Sequence, residues 1–161
     1  DATVRDEDHA SLDRFAKINT TIIGGSYARP KVRLPGAGGA PEMAASCKDV
    51  MSVVRQSLRT FIDKVDFVTS VGFGRGGDDR ARLGLRGAGP RIVITDIGIL
   101  EPDAETRELT LTHLHPGATV EQARASIGWE LAVAPNVAAT APPTATELGV
   151  LRQLQATKSR S

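Results

Sequence analysis

The residues most able to do chemistry cluster around Pro35-Gly36-Ala37-Gly38-Gly39, which follows the basic run Arg29-Pro30-Lys31-Val32-Arg33-Leu34 and precedes Pro41. A strand, then glycines, then a helix start is a recurrent way to build an anion site. Glycines let a backbone come close to a ligand and take positive φ. The helix start adds unpaired N–H groups and the positive end of the helix dipole. Such a turn can hold a phosphate, or a carbonyl oxygen that becomes negative during reaction. In the second case the N–H groups form an oxyanion hole. The spacing is neither that of a P-loop, which needs Gly-Lys-Ser/Thr at the helix start, nor G-x-G-x-x-G. A tight turn with no ligand reads equally well from the pattern alone.

Other candidates are weaker. Arg29, Lys31 and Arg33 could meet phosphates or form a solvated strand face. Arg55 and Lys64 could likewise reach a carboxylate. His113 and His115 share a strand face, but no third ligand accompanies them and zinc sites need three or four. No metal is therefore expected. Cys47 falls towards the end of the helix that Pro41 opens, where a buried small residue is the simpler reading than a nucleophile. Asp78, Asp79, Arg80 and Arg82 read as a solvated loop, and Trp129 as core.

The elements that must position these residues can be read from periodicity and punctuation. Ile18–Ile23 and Val50–Val54 read as strands, the second buried, and Lys64–Ser70 as another. Pro41 opens a helix with Met43, Ala44 and Cys47 on one face. Gly72 to Gly89 is a long loop, a length often functional in a compact domain. Arg91–Leu100 is the strongest strand, turned back by Pro102–Thr106 into Glu108–His113. Thr119 and Gln122 form a capping box that opens Val120–Ile127, closed by Gly128. Trp129–Val133 is a strand. Ala138–Thr146 reads as a surface linker, and a second capping box, Thr144 and Glu147, opens a final helix over 144–156 with Leu148, Leu151 and Leu154 on one face. Strands alternating with short helices predict an α/β domain with a mixed, mostly parallel sheet and flanking helices. One domain over residues 1–161, loose at 1–10, is expected.

Bulk properties narrow the classes. The 161 residues carry 20 basic and 19 acidic side chains and are 40% hydrophobic. That composition supports a core and gives no electrostatic reason to expect nucleic acid or an anionic membrane. No apolar run is long enough for a bilayer. One cysteine excludes an internal disulfide, and a reducing, cytoplasmic location is the simplest expectation.

The order of motifs resembles the β subunits of class I CoA-transferases, the branch that includes glutaconate and 3-oxoadipate CoA-transferases. Leu12-Asp13-Arg14-Phe15 with Ile18-Asn19-Thr20-Thr21-Ile22-Ile23-Gly24 is similar to that family's "VDRYGNVNTTVIG" stretch. Pro30 to Ala40 resembles "PKVRLPGSGGA", and Phe61 to Ser70 resembles "FVEKVDFVTS". Gly89-Pro90, Thr95-Asp96, Leu114-His115-Pro116-Gly117 and Gly128-Trp129 keep the family's order.

The resemblance implies the CoA-transferase (NagB/RpiA-like) fold with its N-terminal part missing. It also implies an enzyme acting in a complex. In the family a glutamate attacks an acyl-CoA thioester, giving an acyl anhydride and then a glutamyl-CoA thioester, and a carboxylate acceptor takes over the CoA. By carry-over Gly38 and Gly39 would be the oxyanion donors. Gly36, Ala40, Lys31 and Arg33 would bind substrate or CoA. His115, in the "LHPG" turn, would be structural. CoA thioester is substrate, with no permanent cofactor. The partners implied are a CoA-transferase α subunit and the upstream part of the β subunit, with acyl-CoA and carboxylate as substrates and no nucleic acid or membrane.

Two departures stand out. The family's glutamate lies upstream of the "VDRYGN" stretch, and none of Glu7, Glu42, Glu101, Glu105, Glu108, Glu121, Glu130 or Glu147 lies in a matching motif. The isolated chain is therefore expected to be inactive. The family's Gly-Asn pair is here Ala16-Lys17, which implies a different turn or a lost positive φ. Two rival readings remain open at this point. One is a CoA-thioester hydrolase or decarboxylase on the same scaffold, such as a steroid ring-cleaving enzyme. The other is a non-catalytic structural subunit.

Overall fold

In the computed structural model, which describes residues 2–5 and 10–158, short strands outnumber helices. Along the chain run β1 (Ala2–Arg5), β2 (Ser11–Leu12), β3 (Ile18–Asn19), β4 (Ile22–Gly25), β5 (Pro30–Arg33), α1 (Ala40–Ser46), β6 (Val50–Val53), α2 (Asp79–Arg82), β7 (Pro90–Ile94), β8 (Gly98–Pro102), β9 (Leu109–Leu114), α3 (Val120–Ala125), β10 (Ala132–Ala139) and α4 (Ala145–Lys158). Six of them form one sheet in the order β1-β6-β7-β8-β9-β10. Three of its pairings are parallel (β1 with β6, β6 with β7, β9 with β10), and β8 joins β7 and β9 antiparallel. This is the mixed, mostly parallel α/β sheet expected. Two small antiparallel ribbons, β2-β3 and β4-β5, stand apart from it. Among the described residues no helix is long and apolar enough to cross a membrane.

The core lies on one side of the sheet. Register sets Ser52 beside Val93, Val93 beside Leu100 and Leu100 beside Leu111, all at most 1% exposed. Leu12, Phe61, Ala123, Ile127 and Trp129 pack in the same cluster, with the Phe61 and Trp129 rings 6.1 Å apart. Each large side chain buried this way is worth about 1.5–3 kcal/mol.

Several elements differ from the sequence reading, each for a visible reason. Arg91–Leu100 is two strands, not one. The Thr95 hydroxyl accepts from the N–H groups of Ile97 and Gly98 and donates to the Gly98 carbonyl, turning β7 into β8. Ile18–Ile23 is likewise split, because the Asn19 carboxamide accepts from the N–H of Thr21 and of Ile22 and donates to the Ile22 carbonyl. Lys64–Ser70 is not a strand and makes only an isolated bridge, Ser70 to Ile18. Side chains replace its ladder: the Asp66 carboxylate accepts from Gly24 N–H, and Thr69 Oγ1 accepts from Thr20 N–H. The strand expected at Trp129–Val133 begins later, at Ala132. It runs through Ala139, so the expected linker at Ala138–Thr146 starts inside it. β6 alternates buried and exposed residues rather than being buried throughout. Ala2–Arg5, expected to be loose, pair with β6, while residue 1 and residues 6–9, including Glu7, lie outside the described residues.

Both capping boxes form. Thr119 and Gln122 bond each other's backbone N–H at the start of α3, and Thr144 and Glu147 do so at α4. At the departure, Ala16 has not lost positive φ: it sits at 54°. Asp13, 2% exposed, holds it there by accepting from the N–H of Phe15 and Lys17. Lys17 Nζ also pairs with Asp13 at 3.1 Å. Tertiary and side-chain bonds thus hold a non-glycine residue in the left-handed region, at a cost of about 1–2 kcal/mol.

Candidate active site

The glycine turn is suspended from the ribbon before it. Leu34 is buried and donates its N–H to the Thr21 carbonyl. Gly36 is clipped twice by Thr20: its N–H donates to the Thr20 carbonyl at 2.8 Å, and its carbonyl accepts from Thr20 Oγ1 at 2.9 Å. Thr20 is itself fixed, since its N–H donates to Thr69 Oγ1, which lies 2.7 Å from Thr21 Oγ1. This threonine set was not singled out by sequence reasoning. The signal was present in the adjacent Asn19-Thr20-Thr21, whose hydroxyls need partners once buried.

Past Gly36 the backbone opens. Gly36 and Gly38 have φ of 109° and 50°, which only glycine takes without strain. Gly39 is the residue before α1, at φ −89°, and its carbonyl accepts from Met43 N–H. Pro41 lies within the first two positions of the helix, as expected. The Ala40 N–H is taken by the Ala37 carbonyl at 3.1 Å, so Ala40 offers no free donor. Among the described residues, neither the Gly38 nor the Gly39 N–H has an acceptor. A Cβ added at Gly36, Gly38 or Gly39 would meet nothing within 4 Å. Two adjacent donors are thus unpartnered among the described residues, on glycines that are both exposed. Gly39 is the informative one, because neither its φ nor its packing within this chain requires glycine.

The basic residues are placed unevenly. Lys31 and Arg33 alternate along β5 and share a face. The Lys31 stem lies along Gly24. Among the described residues its ammonium has no carboxylate partner. Arg33 donates to the Tyr27 carbonyl at 3.0 Å, with its guanidinium 5.0 Å from the Tyr27 ring. Tyr27 in turn stacks on Phe67, so Arg33 is held at the ribbon. Arg55 is exposed and pairs loosely with Asp96 at 3.7 Å.

The helix that follows the turn is anchored by a residue the sequence reading placed in solvent. Arg80 is 6% exposed, and its guanidinium donates to the carbonyls of Gly72, Gly87 and Ala44, with a longer bond to Ala45. Burial pulls its pKa down. Ala44 and Ala45 lie in the second half of α1, so Arg80 ties that helix to the 72–89 loop. Its neighbour Asp79 is also buried, and bonds from the Arg75 backbone N–H and side chain hold its carboxyl below the ordinary value. Only Asp78 and Arg82 form the solvated pair expected of this loop. No local sequence signal distinguishes Arg80 from Arg82, because its partners lie up to 36 residues away.

The remaining candidates resolve simply. His115 uses both ring nitrogens, on Thr140 Oγ1 and the Thr95 carbonyl, which ties the residue after β7 to the residue after β10. His113 bonds Thr112 Oγ1. No group of three metal-ligating side chains occurs among the described residues. Cys47 is the half-buried residue that ends α1. Glu42 lies in the first turn of α1, Glu108 pairs with Arg14 and Glu147 caps α4.

The coenzyme A transferase family model matches residues 10–125. The β subunit of 3-oxoadipate CoA-transferase from Pseudomonas knackmussii is 55% identical over 147 residues, which is 91% of this chain and 56% of that protein. The β subunit of glutaconate CoA-transferase from Acidaminococcus fermentans is 36% identical over 137 residues, 84% of this chain and 51% of that protein. The crystal structure of glutaconate CoA-transferase from the same organism superposes with a TM-score of 0.82 at 31% identity, covering 93% of this chain and 56% of that one. The cholesterol ring-cleaving hydrolase IpdB subunit of Rhodococcus jostii is more distant, 27% identical over 89% of this chain and 55% of that protein. The chain thus spans about half the length of the curated relatives it matches.

Proposed function

The chain belongs to the coenzyme A transferase family, and from that premise we propose that it is the β-subunit portion of an enzyme moving CoA between an acyl-CoA and a carboxylic acid. Its contribution is the glycine turn. A glutamate supplied elsewhere in the assembly attacks the thioester carbonyl, whose oxygen becomes negative as the C–O(glutamyl) bond forms. The N–H groups of Gly38 and Gly39 donate to that oxygen. The C–S bond then breaks, CoA leaves as thiolate and an acyl-glutamyl anhydride remains. Attack of the thiolate on the glutamyl carbonyl releases the first carboxylate and leaves a glutamyl-CoA thioester. The acceptor carboxylate reverses the sequence. Each thioester carbonyl passes through the same kind of charged oxygen, so one pair of donors serves both halves. A single donor of this kind is typically worth about 10²–10³ in rate.

The observation that carries the reading is the pair of N–H groups unpartnered among the described residues, on exposed glycines, the last of which the fold of the turn does not require. Lys31, on the same ribbon and with a free ammonium, would meet a CoA phosphate. Arg33 would steer it from its seat on Tyr27. The partners of this reading are an α subunit and the remainder of the β subunit. The hydrolase alternative draws its support from a relative of much lower identity. The test is an assay of the assembled complex for CoA transfer to a carboxylate acceptor, run beside release of free acid and of carbon dioxide. Free acid or carbon dioxide as the sole product would overturn the transferase reading.

A further inference from the structure

The glycine turn has little of its own to hold its direction. A Cβ built at Gly36, Gly38 or Gly39 would meet nothing within 4 Å, so their side-chain positions carry no packing. Beyond Gly36 the backbone hydrogen bonds among the described residues are local: Ala40 N–H to the Ala37 carbonyl and Met43 N–H to the Gly39 carbonyl. A φ of 50° at Gly38, then −89° with ψ 0° at Gly39, has the signs of a type II′ turn closed by the first of those bonds. Such a turn keeps its own shape but not its direction relative to the ribbon before it. Direction is set where the chain leaves β5. There Leu34 N–H and Gly36 N–H donate to the carbonyls of Thr21 and Thr20, which holds the backbone up to the Cα of Gly36. Only Thr20 Oγ1, 2.9 Å from the Gly36 carbonyl oxygen, acts on the peptide beyond it.

We infer that Thr20 is a positioning residue for the proposed reaction: its hydroxyl fixes the plane of the Gly36–Ala37 peptide, and with it the direction of the Gly38 and Gly39 N–H groups. A peptide group is planar, so a bond to its carbonyl oxygen restrains the whole unit. Gly36 cannot supply that restraint itself, because without a Cβ it leaves rotation about its own backbone bonds unopposed. Thr20 is suited to the task on two counts. A β-branched side chain has few χ1 rotamers, so its hydroxyl stands in a preset direction. Its backbone is also anchored, since Thr20 N–H donates to Thr69 Oγ1 at 2.9 Å. Thr69 is buried, its N–H donates to the Ile18 carbonyl, and its hydroxyl lies 2.7 Å from Thr21 Oγ1. The adjacent threonines thus divide the work. The Thr21 hydroxyl turns into the fold and the Thr20 hydroxyl turns to the glycines. The inference rests on Gly38 and Gly39 being the oxyanion donors.

Kinetics of the assembled enzyme, purified from its host, test it. Thr20→Val keeps the shape of the side chain and removes the hydroxyl. The donors meet a full negative charge only in the transition state, so the loss should fall on kcat. A drop of about tenfold to a hundredfold is expected, the upper figure being the cost of about 1 Å of misplacement. KM for the acyl-CoA should stay within about twofold. Thr20→Ser should stay within about threefold of the parent kcat, because the hydroxyl remains while χ1 is freed. A purely structural role would lower the urea midpoint and leave kcat unchanged, and that result overturns the inference. So does an equal kcat loss in the serine and valine enzymes, or a loss carried by KM. Thr20→Ala, which asks for no space, carries the same test where the valine enzyme does not assemble. Failure of both to assemble overturns the inference, because the hydroxyl would then hold the fold rather than the turn. Gly39→Ala in the same assay separates the two assignments. Full activity there faults the oxyanion donors, whereas a slow Gly39→Ala beside an unimpaired Thr20→Val faults Thr20 alone.

Discussion

Replacing Gly39 with alanine adds one methyl where the structure holds nothing within 4 Å, at a φ of −89° that alanine adopts freely. The two effects on folding oppose each other. Alanine before the first helical residue loses about 0.5–1 kcal/mol against glycine. Fewer unfolded conformations return about 0.4–1 kcal/mol. Stability should therefore stay within about 0.5 kcal/mol of the parent. The chemistry should not be spared. On the proposed reading the new methyl stands next to the Gly39 N–H, in the space the thioester oxygen would enter. A misplacement of about 1 Å costs about 10²-fold in rate. Urea denaturation of the variant and CoA transfer by the assembled enzyme are the paired measurements. An unchanged midpoint with transfer reduced about a hundredfold is the expected result. Full activity would refute the assignment of the turn. A loss of more than about 1.5 kcal/mol would refute the claim that its fold does not need this glycine.

Other variants probe the supports. Arg80→Met keeps the apolar stem but leaves the Gly72, Gly87 and Ala44 carbonyls without their donor. At about 1 kcal/mol each, the low end for an orphaned group, the loss is about 3 kcal/mol. The urea midpoint should then fall by about 1.5 M for a slope of about 2 kcal/mol/M, and a shift below about 0.5 M would refute it. Burial raises the Asp13 carboxyl above its ordinary 3.8, against the opposing Lys17 ammonium and the N–H groups of Lys17 and Phe15. A raised native value means its contribution is full below that ordinary value and is lost as pH rises through the native one. Stability curves of the parent and Asp13→Asn should therefore diverge in the parent's disfavour as pH rises above 3.8, and parallel curves would count against the burial argument. Thr119→Ala should cost about 1 kcal/mol globally, because α3 buries Ala123 in the core. Thr144→Ala should lower far-ultraviolet helicity with little change in urea midpoint, because the α4 residues from 150 to 157 are exposed; equal midpoint losses would contradict this.

What was legible in the sequence was local. Capping boxes, the proline at the start of α1 and the hairpin of β8 and β9 involve residues a few positions apart, and they form as read. Where the reading failed, a side chain had substituted for a backbone partner. The isoleucine run from Ile92 to Ile99 concealed the Thr95 hydroxyl that folds it in half. The apolar content of Lys64–Ser70 concealed that Asp66 and Thr69 anchor it without a ladder. Ala16 shows the converse. Its residue type argued against positive φ, but Asp13 and Lys17 enforce the turn around it. At the candidate site, the turn itself could be named from glycines and prolines. Its supports could not, because Thr69 and Arg80 reach it across 49 and 36 residues.

Arg80 grips α1 through carbonyl oxygens alone, and this sets how that grip responds to solution conditions. A guanidinium held by a carboxylate lets go when acid protonates its partner, and an exposed pair weakens in concentrated salt. Carbonyls do not titrate, and these are buried. Acid that releases Arg75 from Asp79, or brine that screens Arg82 from Asp78, leaves α1 tethered. The second half of α1, behind the glycine turn, should thus be among the last parts of this chain to lose its shape on acidification.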